Sequence, residues 1–140
     1  MSDTLELSPD DDAIPRALQW LEGIAEREGW PPKTAFGLTL SLDEALANVV
    51  SYAFDPPPAD APPAIALECR LGGSRIEVEL RDNGLAYDPT GNPPAALVTN
   101  LDDAEIGGHG VRLMRHYLHD LVYKREAGWN CLTLVMETAP

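Results

Sequence analysis

The chain has 140 residues, 44% of them hydrophobic and 24% charged, with a formal net charge of −13 at pH 7 and an isoelectric point near 4.4. That is an ordinary globular composition for one domain, large enough to bury a core. So acidic a chain argues against nucleic acid and anionic membranes as partners, and any anionic ligand would have to be met by a metal ion or backbone N–H groups, not by a general basic patch.

Thr4 to Leu7 reads as a short first strand. Asp10, Asp11 and Asp12 offer a capping carboxylate for the helix that follows. Ile14, Leu18, Leu21 and Ile24 recur at helical spacing through Glu28, and Gly29 ends that helix. Pro31-Pro32 opens a second helix, expected to run to about Phe54, where Asp55-Pro56-Pro57-Pro58 stops it. The stretch through Pro63 reads as a surface loop. Ile65, Leu67, Cys69 and Leu71, then Ile76, Val78 and Leu80, alternate with polar residues across a Gly72-Gly73-Ser74 turn. That is an antiparallel hairpin with one buried face.

Residues 84 to 107 carry no usable periodicity, so a functional lid or a disordered loop is expected at about 85–108. Gly110 to about Leu118 reads as a helix. Asp120 to Arg125 and Asn130 to Met136 read as a closing hairpin that turns at Ala127-Gly128. The order predicts a single α+β domain over residues 1–140, a two-layer α/β sandwich with helices on one face of a mostly antiparallel sheet. The N-terminus is polar and acidic, and no apolar run approaches the ~20 residues of a membrane span. A cytoplasmic location with reduced Cys69 and Cys131 is therefore expected.

Three segments carry candidate chemistry. The second helix is apolar almost all round and should be mostly buried, yet Ser41, Glu44, Asn48 and Ser51 form one polar stripe. A carboxylate and an amide one turn apart suit proton abstraction and Mg²⁺, and Glu44 and Asn48 are expected to line a polar cavity. Asp82 follows Ile76, Val78 and Leu80 in strand phase, at the end of a buried row. A carboxylate there needs donors, which an adenine amine or the N–H groups of the turn can supply. Gly84 would let the backbone come close to a planar ring. Gly107-Gly108-His109-Gly110 opens a helix pattern, where free N–H groups attract phosphates.

In that order the segments resemble the N, G1 and G2 boxes of the Bergerat-fold (GHKL) ATPases. Asp82-Asn83-Gly84-Leu85-Ala86-Tyr87-Asp88-Pro89 is similar to an Asp-x-Gly-x-x-Phe-Asp-Pro stretch of one branch. Glu105 to Arg115 resembles that branch's lid end and following helix, and Tyr123 to Leu134 its closing hairpin. The branch is that of the bacterial anti-sigma-factor serine/threonine kinases of partner-switching systems.

The resemblance implies ATP or ADP and Mg²⁺ as ligands, with Asn48 holding the metal and Glu44 acting as general base toward a serine or threonine hydroxyl. It implies Asp82, Gly84 and Ala86 at the adenine, and Gly108, His109, Gly110 and Val111 at the phosphates. The implied partners are a sigma factor and an anti-anti-sigma protein of the STAS type, with a homodimer left open. Thr133 lies where a threonine of some relatives reaches the adenine, with the register open by one residue.

The chain departs from the pattern in four places. Ala86 replaces a common glycine, Tyr52 stands where relatives often have a basic residue, and His109 replaces an apolar one. No Lys or Arg occurs from Ala86 to Gly110, which leaves Arg112 and Arg115 as the nearest cations for a γ-phosphate. These departures keep open a non-catalytic nucleotide-binding module that sequesters its partner. A histidine-kinase catalytic domain is disfavoured, because the first helix has no phosphoacceptor histidine.

Overall fold

A computed structural model describes residues 2–90 and 114–138. In these, β1 (Ser2–Leu7) is followed by α1 (Ala13–Glu28), α2 (Pro32–Asn48) and a π-helical turn (Val49–Ala53). Then come β2 (Ile65–Gly72), β3 (Arg75–Asp82), β4 (Asp120–Glu126) and β5 (Trp129–Glu137). The strands form a five-stranded sheet in the order β1-β2-β3-β5-β4, with every pairing antiparallel. This is the expected two-layer α+β sandwich.

Alternation in the strands decides which face the helices cover. Leu67, Val78, Leu80, Leu132 and Leu134 point inward and share one core with Leu21, Leu38, Leu42 and Leu46 of the helices. Cys131 and Val135 are also buried but lie outside that core cluster, in the alternate strand phase. Lys124 and Arg81 flank Cys131 in register, and long charged side chains of that kind can cover apolar neighbours with their stems. Burial raises the thiol pKa of both Cys69, to about 11, and Cys131, so both favour the unreactive protonated form.

Local chemistry explains most boundaries. Gly29 closes α1 in the left-handed conformation, its N–H bonded to carbonyls of the last turn. Ala127 and Gly128 both have positive φ, as a two-residue hairpin requires. One expectation fails. Asp12 occupies the N-cap of α1 without a side-chain cap bond, and Pro15 at N3 has no N–H to give it, while Asp10 accepts the Asp12 N–H at 3.0 Å and forms a turn of its own. Most of the second helix is buried or half-buried, but Phe36 is 54% exposed and stacks edge-on against Tyr117 at 5.4 Å. Among the described residues, no helix is long and apolar enough to cross a membrane.

Candidate nucleotide site

Glu44 and Asn48 lie one turn apart near the C-terminal end of α2, both half-buried. Among the described residues, neither side chain makes a hydrogen bond or ion pair. Ser41, one turn earlier, is fully buried, and its hydroxyl has no hydrogen-bond partner. The stripe therefore runs from the interior to a wet rim instead of lining one cavity evenly. At Asn48 regular α geometry ends and the π-helical turn begins. Such turns insert a residue into the helical ladder and often occur at functional positions.

Asp82 is 4% exposed at the end of β3. Its Oδ1 accepts the Gly84 N–H at 3.0 Å and the Asn130 amide at 2.9 Å. Burial raises the carboxyl pKa above its ordinary value, while those two donors and the Arg125 charge pull it back. The two donors converge on one oxygen. Oδ2 receives no bond from the described residues and is the atom able to take an external N–H.

Gly84 is required by the packing of the fold itself. A Cβ on it would run into the Ala53 carbonyl oxygen and would lie 2.7 Å from the Ala53 Cβ. The close approach is therefore between the strand-end turn and the π-helical turn, and the Ala53 carbonyl also accepts the Leu85 N–H at 2.8 Å. Ala53 is the last residue of a helical segment that follows directly on Asn48. Asn48 thus lies roughly 6–8 Å along the helix axis from this junction. The first two sequence segments are brought together by main-chain contact. Gly84→Ala must force the turn off Ala53 and is expected to cost about 1–3 kcal/mol of stability. Urea denaturation measures this, and an unchanged midpoint and slope would contradict the packing.

A family model for the histidine kinase-like ATPase domain matches residues 7–136. The chain belongs to this ATPase domain family. A curated relative, the serine/threonine-protein kinase BtrW of Bordetella bronchiseptica, is 49% identical over 139 residues, covering 99% of this chain and 96% of its own. A crystal structure of the RsbU and RsbW domains of Rv1364c from Mycobacterium tuberculosis superposes with a TM-score of 0.65 at 16% identity. That likeness covers 100% of this chain and 33% of the other. The histidine kinase domain of a blue-light-activated histidine kinase from Erythrobacter litoralis gives 0.57 at 19% identity, covering 89% of this chain and 59% of that one. These two structures establish the fold, and the 49% relative places the ATPase domain on the serine/threonine kinase branch.

Gly108, His109, Gly110 and Val111 lie outside the described residues, as do Arg112 and the lid from residue 91 onward. Ala86 is exposed just beyond the Asp82 turn. Arg115 donates to the Thr90 carbonyl at 3.2 Å. Thr133 pairs with Glu79 and Val122, in the strand phase opposite to Leu132 and Leu134, so it faces away from Asp82. Sequence reasoning missed three residues that shape the ATPase domain's turn. Asn83 bridges the Ala64 N–H at 2.8 Å and the Pro62 carbonyl at 3.0 Å, which ties down the proline-rich loop. Arg125 donates to the Gly84 carbonyl at 2.9 Å, and Asn130 reaches Asp82 itself. Only the strand register could have revealed the last, since Asp82 and Asn130 are direct partners across β3 and β5.

Proposed function

We propose that this ATPase domain is the kinase of a partner switch, which binds Mg·ATP, sequesters a sigma factor and phosphorylates an anti-anti-sigma protein of the STAS type. The enzyme class, an ATP-dependent protein serine/threonine kinase, follows from the family and the 49% identical kinase relative. The observation that carries the reading is the Glu44–Asn48 pair, one turn apart and without side-chain partners among the described residues, on a helix whose π-helical end packs onto the turn of buried Asp82. The partner identities rest on the motif resemblance, and the charge of −13 suits a partner with a basic surface.

In this reading Asp82 Oδ2 accepts the adenine amine, and Glu44 takes the proton from the partner hydroxyl as its oxygen attacks the γ-phosphorus, while the bond from that phosphorus to the β–γ bridging oxygen breaks and ADP leaves. Mg²⁺ fits the residues present. The Asn48 amide oxygen is a hard donor, half-buried and without a partner among the described residues, and Mg²⁺ is commonly held by one or two protein oxygens together with phosphates and water. When bound, the ion would offset the charge of the phosphate chain during transfer. Among the described residues no cluster of three or more His, Cys, Asp or Glu could hold a metal without such help.

Titration of Mg·ATP into the wild type and Asn48→Ala, paired with transfer of labelled γ-phosphate to candidate anti-anti-sigma proteins, tests the proposal. Asn48→Ala is expected to weaken Mg·ATP binding at least about tenfold and metal-free ATP binding much less. Equal losses with and without magnesium would remove Asn48 from the metal. A second reading, a module that holds nucleotide without transferring phosphate, is favoured by the absence of Lys and Arg from Ala86 to Gly110. ATP binding with every partner left unlabelled would support it against the kinase.

A further inference from the structure

Asn130 is 5% exposed on β5, and every polar atom of its side chain is engaged. Its Nδ2 donates to Asp82 Oδ1 at 2.9 Å and to the Leu85 carbonyl at 2.7 Å. Its Oδ1 accepts from the Tyr123 hydroxyl at 2.6 Å and from the Tyr87 N–H at 3.3 Å. Rotating the amide by half a turn would set its oxygen against the Asp82 and Leu85 acceptors and its NH₂ against the Tyr87 N–H, and only the Tyr123 hydroxyl could adapt, so three of the four contacts fix the orientation. With the Arg125 bond to the Gly84 carbonyl, the closing hairpin grips residues 82–87 at several points.

We propose that Asn130, held by Tyr123, is the positioning residue that makes Asp82 an ionised, acceptor-only group with one oxygen aimed at the base, and so sets the preference for adenine over guanine. The inference rests on the reading that Asp82 takes the adenine amine. The Asn130 amide saturates Oδ1 and favours the charged carboxylate. The oxygen left over can accept the adenine N6–H₂ and repels the guanine O6. Without Asn130 the buried carboxyl loses its side-chain donor, holds a proton to higher pH, and in that form can donate to O6. Tyr123 acts one step further out by fixing the amide.

The test measures ATP and GTP affinity from pH 5 to 8 for the wild type, Asp82→Asn, Asn130→Ala and Tyr123→Phe, each checked for folding by circular dichroism. Asn130→Ala is expected to move the acid limb of ATP binding to higher pH. It should also lower the ATP-to-GTP preference about tenfold at the acidic end, the worth of one charge-assisted hydrogen bond. Tyr123→Phe should change both in the same direction by less. If the folded Asn130 and Tyr123 variants keep the wild-type acid limb and preference while Asp82→Asn loses affinity, Asn130 is structural only and the inference is overturned. If Asp82→Asn binds ATP like the wild type, the adenine reading itself fails. Should Asn130→Ala not fold, an unchanged profile in Tyr123→Phe overturns the inference by itself.

Discussion

Replacing Glu44 with Gln is expected to slow phosphoryl transfer to a partner hydroxyl by about a hundredfold to ten-thousandfold, the usual worth of a positioned general base, with ATP affinity changed by no more than a few-fold. A serine or threonine hydroxyl is a weak nucleophile until its proton is taken up. Glu44 has a carboxylate free of hydrogen bonds and ion pairs among the described residues, on the same helix face as Asn48 and one turn before it. Gln keeps the size and polarity of the side chain, so folding and ATP binding should survive, but it cannot accept the proton. Single-turnover labelling of the partner separates chemistry from product release. A Glu44→Gln variant that labels its partner at the wild-type rate would show that the proton leaves by another route.

Asp82→Asn should produce opposite effects on affinity and stability. The amide oxygen can still accept from Gly84 and Asn130, but the position of Oδ2 is then an NH₂ group that confronts the adenine amine, donor against donor. A loss of about tenfold to a hundredfold in ATP affinity is expected. Stability changes the other way. The folded carboxyl pKa is raised by burial above the ordinary value near 3.8, so the native state binds this proton more tightly than the unfolded state does. The contribution of Asp82 is fully present below the unfolded pKa and is lost as pH rises through the folded pKa. At neutral pH the ionised group is a net burden that the asparagine lacks. Relative to the variant, the wild type should therefore lose stability as pH rises from about 4 through the raised folded pKa, with other titrating groups common to both. Urea unfolding at several pH values measures the difference. A variant markedly less stable than the wild type at pH 7 would mean that the ionised carboxylate's bonds to Gly84 and Asn130 outweigh its desolvation.

The layers of the fold were legible because period-two and period-three-to-four patterns are local. Ile76, Val78 and Leu80 announce a half-buried strand, and the same alternation carries Asp82 to the inside, where the structure finds it. Gly29, the Gly72–Ser74 turn and the Ala127-Gly128 turn punctuate the chain where expected. The break in the second helix was not legible. Val49 to Ala53 reads as a good continuation of an apolar helix, and the shift to π geometry coincides with a tertiary contact from Gly84 and Leu85. The role of Asn130 was hidden for a related reason, since its partners are up to 48 positions away and meet it only once β3 and β5 are in register. Thr133 was offset by the same one-residue ambiguity, which in a strand decides the face.

The junction of Ala53 with Gly84 and Leu85 constrains how such a domain can diversify. In the proposed reading, Asp82 as the purine's anchor and Asn48 as the cation's amide hang from two pieces of main chain joined directly by that contact. Exchanging side chains could change which base is read or which hydroxyl is admitted. The span between the two ends of the nucleotide would stay as the backbone sets it, and altering that span would require shifting a whole helix.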